Sequence, residues 1–169
     1  DPKKNTPRVL KAYSDYLKQS TQKLPLLIAD LKGDVIDQIL EEENIREIKS
    51  YIHAPGYIAN TDLVALYCGA FAFLYPSLRE SFGIAMLEAM ACGTPIIAGN
   101  TSAMPEIAGE GALLADPFNS NDITKKILQL ENDQTLYQQQ VEYGIQRSQL
   151  FSWRNTAESL LKIYKEFAK

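Results

Sequence analysis

A single histidine and two cysteines are all that this chain offers to soft-metal or redox chemistry. His53 stands alone at a predicted strand end and reads as a structural residue. Cys68 and Cys92 have no second cysteine or histidine at ligand spacing, which excludes a structural zinc site and fits reduced core thiols in a cytosolic protein. Basic excess is also missing. Lys and Arg number 17 against 21 Asp and Glu, a net charge of -4, and the two signs are interspersed, so neither nucleic acid nor an anionic membrane surface is implied as a partner. No apolar run approaches the roughly 20 residues that span a bilayer, and the opening D-P-K-K-N-T-P lacks the apolar segment of a signal peptide. The chain is expected to be cytoplasmic. No G-x-G-x-x-G follows any predicted strand, which removes the dinucleotide-dependent oxidoreductases. Neither an internal repeat nor a low-complexity tract is present.

What remains is a chain of 169 residues, 46% hydrophobic, long enough for one sizeable core and read as one domain over residues 1–169. Short β-rich runs alternate with helical patterns, the signature of an α/β domain built on a doubly wound parallel sheet. Strands are predicted at Leu24–Ala29, Ser50–His53, Ala70–Tyr75, Thr94–Ala98 and Ala112–Leu114. All are apolar on both faces, as strands covered on each side by helices should be. Helices are predicted at Thr6–Gln22, Val35–Asn44, Asp62–Gly69, Gly83–Ala91 and Pro105–Gly109. A helical tail follows at Ser120–Leu130, Asp133–Gln149 and Ser152–Phe167. Asn121 with Asp122, Asp133 and Ser152 mark the starts of these last helices. Phe151, Trp153, Tyr164 and Phe167 read as the apolar stripe of a packed terminal helix. A helix stands first, where a chain of βα units should open with a strand. Either the domain has only five strands, or a first, central strand belongs to a longer natural chain and its neighbours here lack backbone partners.

The chemistry concentrates in R-E-S-F-G-I-A-M-L-E-A-M-A-C-G-T-P, from Arg79 to Pro95. It follows a strand ending at Tyr75 and runs into a helix, so its loop lies at the carboxyl edge of the sheet, where ligands of α/β proteins bind. The helix start offers free N-H groups to an anion, and Gly83 lets a ligand approach the backbone. Glu80 precedes the helix and is either an acid favoured by the helix dipole or a ligand-binding group. Glu88, one turn in, is either on a narrow solvated face or another such group. Lys4, at the start of the chain, is either solvated or a phosphate contact. Asn100, Thr101 and Ser102 occupy another carboxyl-edge loop, with helix capping and a site role both open.

Taken together, these segments resemble the carboxyl-terminal, nucleotide-sugar-binding domain of retaining GT-B glycosyltransferases of group 1 (family 4). D-P-K-K-N-T-P resembles that family's basic loop after the first strand, L-P-L-L-I-A-D its second strand, and H-A-P-G-Y-I-A-N-T-D-L-V-A-L-Y its base-contacting turn and next helix. E-S-F-G-I-A-M-L-E-A-M-A-C-G-T-P-I-I carries two glutamates separated by seven residues, and G-A-L-L-A-D-P-F and F-S-W-R-N-T-A follow in the family's order. The resemblance implies that Glu80 lies against hydroxyls of the donor sugar and Glu88 holds the ribose diol, for which a carboxylate has two acceptors. It implies that Ser81, Phe82 and Gly83 present N-H groups to sugar or diphosphate, that Lys4 neutralises the diphosphate, and that Tyr57 and Ile58 flank the base. The donor is a GDP-, UDP- or ADP-sugar, with no metal and no further cofactor. The family's second diphosphate cation, an upstream arginine, has no counterpart. The acceptor site is expected on an amino-terminal domain of the same natural chain, without which transfer does not occur. That domain would also reach a membrane-associated acceptor through peripheral attachment. The rival reading is a non-catalytic nucleotide-binding module or degenerate transferase domain.

Overall fold

The computed structural model describes residues 1–168. A short 3-10 turn over Pro2–Lys4 leads into α1 (Thr6–Gln19). Helices and strands then alternate: β1 (Leu26–Ala29), α2 (Gly33–Glu42), β2 (Ile52–Gly56), α3 (Asn60–Gly69), β3 (Phe73–Tyr75), α4 (Ile84–Ala91), β4 (Ile96–Gly99), α5 (Met104–Ala108) and β5 (Leu113–Ala115). Three helices close the chain, α6 (Ser120–Asn132), α7 (Gln134–Gln149) and α8 (Trp153–Phe167).

Local chemistry accounts for the boundaries that differ from expectation. α1 stops at Gln19 rather than Gln22 because Ser20 turns extended, and its hydroxyl accepts from the Gln22 and Lys23 N-H groups while donating to Glu131. Such local side-chain bonding offers the backbone an alternative to the helix. Residues 46–51 form a 3-10 turn, so β2 starts later than predicted and runs to Gly56 through Pro55. An edge strand tolerates a proline, whose missing N-H costs no ladder bond on the open side. The cap of α6 is Asn119, which accepts from the Asn121 and Asp122 N-H groups, not Asn121. Asp133 and Ser152 cap α7 and α8 as predicted.

Every strand pair is parallel, but the strands form two sheets, β1-β2 and β3-β4-β5, instead of one. β1 and β3 each have a hydrogen-bonded neighbour on one side only. A common core nevertheless joins them, because Leu26 and Ile28 of β1 and Leu74 of β3 pack on the cluster of Leu10, Tyr13, Leu40, Ile97 and Ile123. Alternation along β4 shows helices on both faces: Ile97 points into that α1-α6 cluster, while Ile96 and Ala98 point into a second one with Met86, Met90 and Met104. Full coverage holds for β4, all four of whose residues are buried. In β1 and β2 every second residue is exposed, His53 among them, so the expectation of two apolar, covered faces fails there. The helices in the described residues cover that sheet from one side.

Two further expectations are corrected. Cys68 is exposed and Cys92 partly buried, so only the second resembles a core thiol. α8 is not packed: it has no buried residue, and Trp153 is 86% exposed, with Leu160, Leu161, Ile163, Tyr164 and Phe167 also open to solvent.

Candidate functional site

Tyr75 ends β3 and Pro76 opens the loop that leads to α4, so Glu80 is delivered to the carboxyl edge of the larger sheet. Two neighbours fasten that loop. The Leu78 N-H donates to Lys3 O at 2.8 Å, and the Asn5 side-chain amide donates to Pro76 O at 3.0 Å and to Pro117 O at 2.6 Å. Asn5 is buried and takes the left-handed conformation, φ 61°, which ends the 3-10 turn and starts α1. Asparagine is among the few residues besides glycine that tolerate this region.

Lys4 is thereby held across from Glu80. Its Nζ donates to Glu80 Oε1 at 2.7 Å and to the Tyr75 hydroxyl at 3.2 Å, and it stands 4.8 Å from the Tyr75 ring centroid. The Lys4 side chain is half exposed and that of Glu80 is 16% exposed. Burial works against the charge on Glu80, but hydrogen bonds from Lys4, Tyr75 and Ser77 outweigh it and hold the carboxyl below its usual range. Burial likewise opposes the Lys4 ammonium, and Glu80 and Tyr75 more than offset it, so Lys4 titrates higher than usual. Both groups are therefore charged at neutral pH and point into one cleft of about 390 Å³, lined by Asp1, Lys3, Lys4, Arg79, Glu80 and Ser81.

α4 begins at Ile84, one residue later than expected, with Gly83 as its cap at φ 98°. A side chain there is strained by the backbone, and its Cβ would stand 2.8 Å from the Met86 methyl. Gly83 is therefore favoured by its own backbone, with the Met86 methyl having to shift for any larger residue, whether or not a ligand approaches. Gly83→Ala is expected to lose about 1–2 kcal/mol, from left-handed strain and from displacing Met86, measured by urea unfolding. Phe82 is exposed on one side, and its ring meets Phe151 edge to face, centroids 5.9 Å apart. Arg147 stacks over Phe151 and donates to Glu106 O and Ile107 O at the end of α5.

Of the sequence-selected residues, Lys4, Glu80 and Ser81 meet in the cleft, while Phe82, Gly83, Glu88, Tyr57 and Ile58 do not line it. Glu88 is exposed on the second turn of α4, about 6 Å along the helix from Ile84. Its charge reaches the Tyr67 phenol, whose pKa burial first and Glu88 second push up to about 12. Tyr57, 80% exposed, and the partly buried Ile58 follow β2 at the carboxyl edge of the smaller sheet. Sequence reasoning missed Tyr75, Asn5 and Arg79. Tyr75 was open to discovery as the last residue of a strand at the ligand edge. Among the described residues no cluster of three or more His, Cys, Asp or Glu is placed to hold a metal ion, and no helix is long and apolar enough to cross a membrane.

Residues 1–147 match the family described as glycosyl transferases group 1. The chain is 34% identical to O-antigen chain mannosyltransferase B of Escherichia coli, over 98% of this chain and 43% of that protein. Its fold matches sucrose-phosphate synthase from Thermosynechococcus elongatus with a TM-score of 0.81 at 24% identity, over 99% of this chain and 43% of that one. HepE of Anabaena, in complex with UDP and glucose, matches with a TM-score of 0.82 at 18% identity, over 98% of this chain and 45% of that one. This chain thus spans less than half the length of these relatives, and it covers about half of a GT-B fold. With the family matched over most of its length, the chain belongs to the group 1 glycosyl transferases as a GT-B-type domain.

Proposed function

We propose that this domain binds a nucleoside-diphosphate hexose and that the natural protein containing it transfers the hexose, with retained anomeric configuration, as a family 4 enzyme. The observation that carries the reading is the Lys4–Glu80 pair, a cation and a carboxylate held 2.7 Å apart at the ligand edge, beside a helix start. The names of relatives that transfer mannose make a mannosyl donor the first to test. In transfer, the bond from the anomeric carbon to the diphosphate oxygen breaks, the acceptor oxygen bonds to that carbon, and the acceptor proton passes to the diphosphate. Lys4, Arg79 and the N-H groups of Ser81, Phe82 and Gly83 would neutralise the departing diphosphate. Lys4 must then exchange Glu80 for phosphate as the donor enters, which leaves the carboxylate free for sugar hydroxyls. Glu88 would accept from the ribose diol, with Tyr57 and Ile58 against the base.

The one-sided pairing of β1 and β3 around a shared core favours a further parallel strand between them, supplied by a preceding part of the natural chain. That chain would also carry the acceptor-binding domain, with α8 covered by it through the apolar stripe from Trp153 to Phe167. An acceptor at a membrane surface would be met through that domain. A panel of GDP-mannose, UDP-glucose and ADP-glucose titrated against the full-length protein tests the reading. Glu88→Ala is expected to weaken the best donor by about 10- to 100-fold, the worth of one charged hydrogen-bonding group. Unchanged affinity would remove Glu88 from the site.

A further inference from the structure

Thr101 and Ser102 stand just ahead of α5, where hydroxyl side chains ordinarily cap a helix, yet neither does so. The α5 cap position is Ala103, without a side-chain bond. Ser102 instead takes a left-handed conformation, φ 52°, that turns its hydroxyl to the neighbouring loop, where it accepts from the Glu80 N-H at 2.9 Å. The Thr101 hydroxyl donates to Leu78 O at 3.3 Å. Since Lys3 O already holds the Leu78 N-H, the peptide units from Leu78 to Glu80 are gripped from both sides. The end of β4 lies close enough for this, because a Cβ on Gly99 would stand 2.8 Å from Ser77 O.

We propose that Ser102, supported by Thr101, is a positioning residue for Glu80: its hydroxyl fixes the Glu80 main chain so that the carboxylate meets the donor sugar at one angle. The inference rests on the reading of Glu80 given above. Ser102 is exposed, and water could replace an exposed hydrogen bond at little cost to folding, so what the bond contributes is orientation of the Glu80 main chain. Sub-ångström placement of a reacting group is where such orientation counts.

Ser102→Gly separates the two contributions, because glycine keeps the left-handed backbone without strain and removes only the acceptor. In the full-length protein, release of nucleoside diphosphate from GDP-mannose and, in parallel, UDP-glucose is the readout. Ser102→Gly is expected to lower kcat about tenfold with donor KM changed less than about twofold and Tm unchanged. Ser102→Asn, which tolerates the same backbone and offers an acceptor oxygen, should restore kcat to within about threefold. On a Glu80→Gln background Ser102→Gly should add nothing, because the group it orients is gone. Wild-type kcat in Ser102→Gly, a loss that Ser102→Asn leaves unrepaired, or an equal loss on both backgrounds overturns the proposal. Wild-type turnover in Glu80→Gln alone would instead overturn the reading of Glu80.

Discussion

Glu80→Gln in the full-length protein is expected to lower kcat about 100- to 1,000-fold, the scale of removing one preorganised electrostatic group from an active site. The amide keeps the size and one acceptor oxygen but turns the other acceptor into a donor and removes the charge, so the loss reports what the carboxylate does as the anomeric carbon becomes electron-poor. Folding should barely notice. The Lys4 partner is half exposed, and such pairs contribute at most about 1 kcal/mol. The acid limb of the rate profile gives an independent check. Because the Glu80 carboxyl is held below its ordinary value of 4.5, the pair's contribution is complete above that value and is lost only as pH falls through the lowered one. At the other end it is complete below 10.5 and lost as pH rises through the raised value of Lys4. The pH profile of kcat/KM, which reports the free enzyme in which Lys4 still holds Glu80, should therefore show no loss of Glu80 ionisation between about pH 5 and neutrality, and a fall centred near pH 6 would assign the acid limb to another group.

Asn5→Ala should produce the largest loss of stability, about 3–5 kcal/mol. The carbonyls of Pro76 and Pro117 each lose a buried donor, at about 1–1.5 kcal/mol apiece, and alanine adds about 1–2 kcal/mol of left-handed strain. For a domain of this size that corresponds to a drop in Tm of roughly 10 °C. Asn5→Gly should recover about 1 kcal/mol of the loss, since glycine relieves the strain but leaves both carbonyls unpaired. Asn5 ties the chain start to the ends of β3 and β5 at once. The same variant should therefore loosen the Lys4–Glu80 geometry, seen as weaker donor binding at temperatures where the protein is still folded.

The α/β architecture was legible because it depends on local signals: short apolar runs, helix caps at Asp133 and Ser152, and a glycine at the entry to α4. The division into two sheets was not, since it depends on which strand edges meet, and no side-chain pattern records that. Exposure on β1 and β2, and its full extent on α8, escaped for a related reason. Leu27, Leu161 and Phe167 have core composition, and only the contact partners present decide whether they are covered. At the site, Lys4 and Glu80 could be named because they stand in loops that match motifs of the family the chain resembles. Their direct bond to each other, and the roles of Tyr75 and Asn5, come from contacts between residues about 70 positions apart. Ser102 was visible only as an ambiguous cap, because its backbone conformation chooses between the two uses.

The edge-to-face contact of Phe82 with Phe151 joins a residue of the loop ahead of α4 to one just before the last helix. Aromatic pairs of this geometry contribute about 0.5–1.5 kcal/mol beyond their buried area, and touching residues do not respond independently to change. In evolutionary terms the two positions form one character, so a smaller ring at either should be inherited together with a matching change at the other.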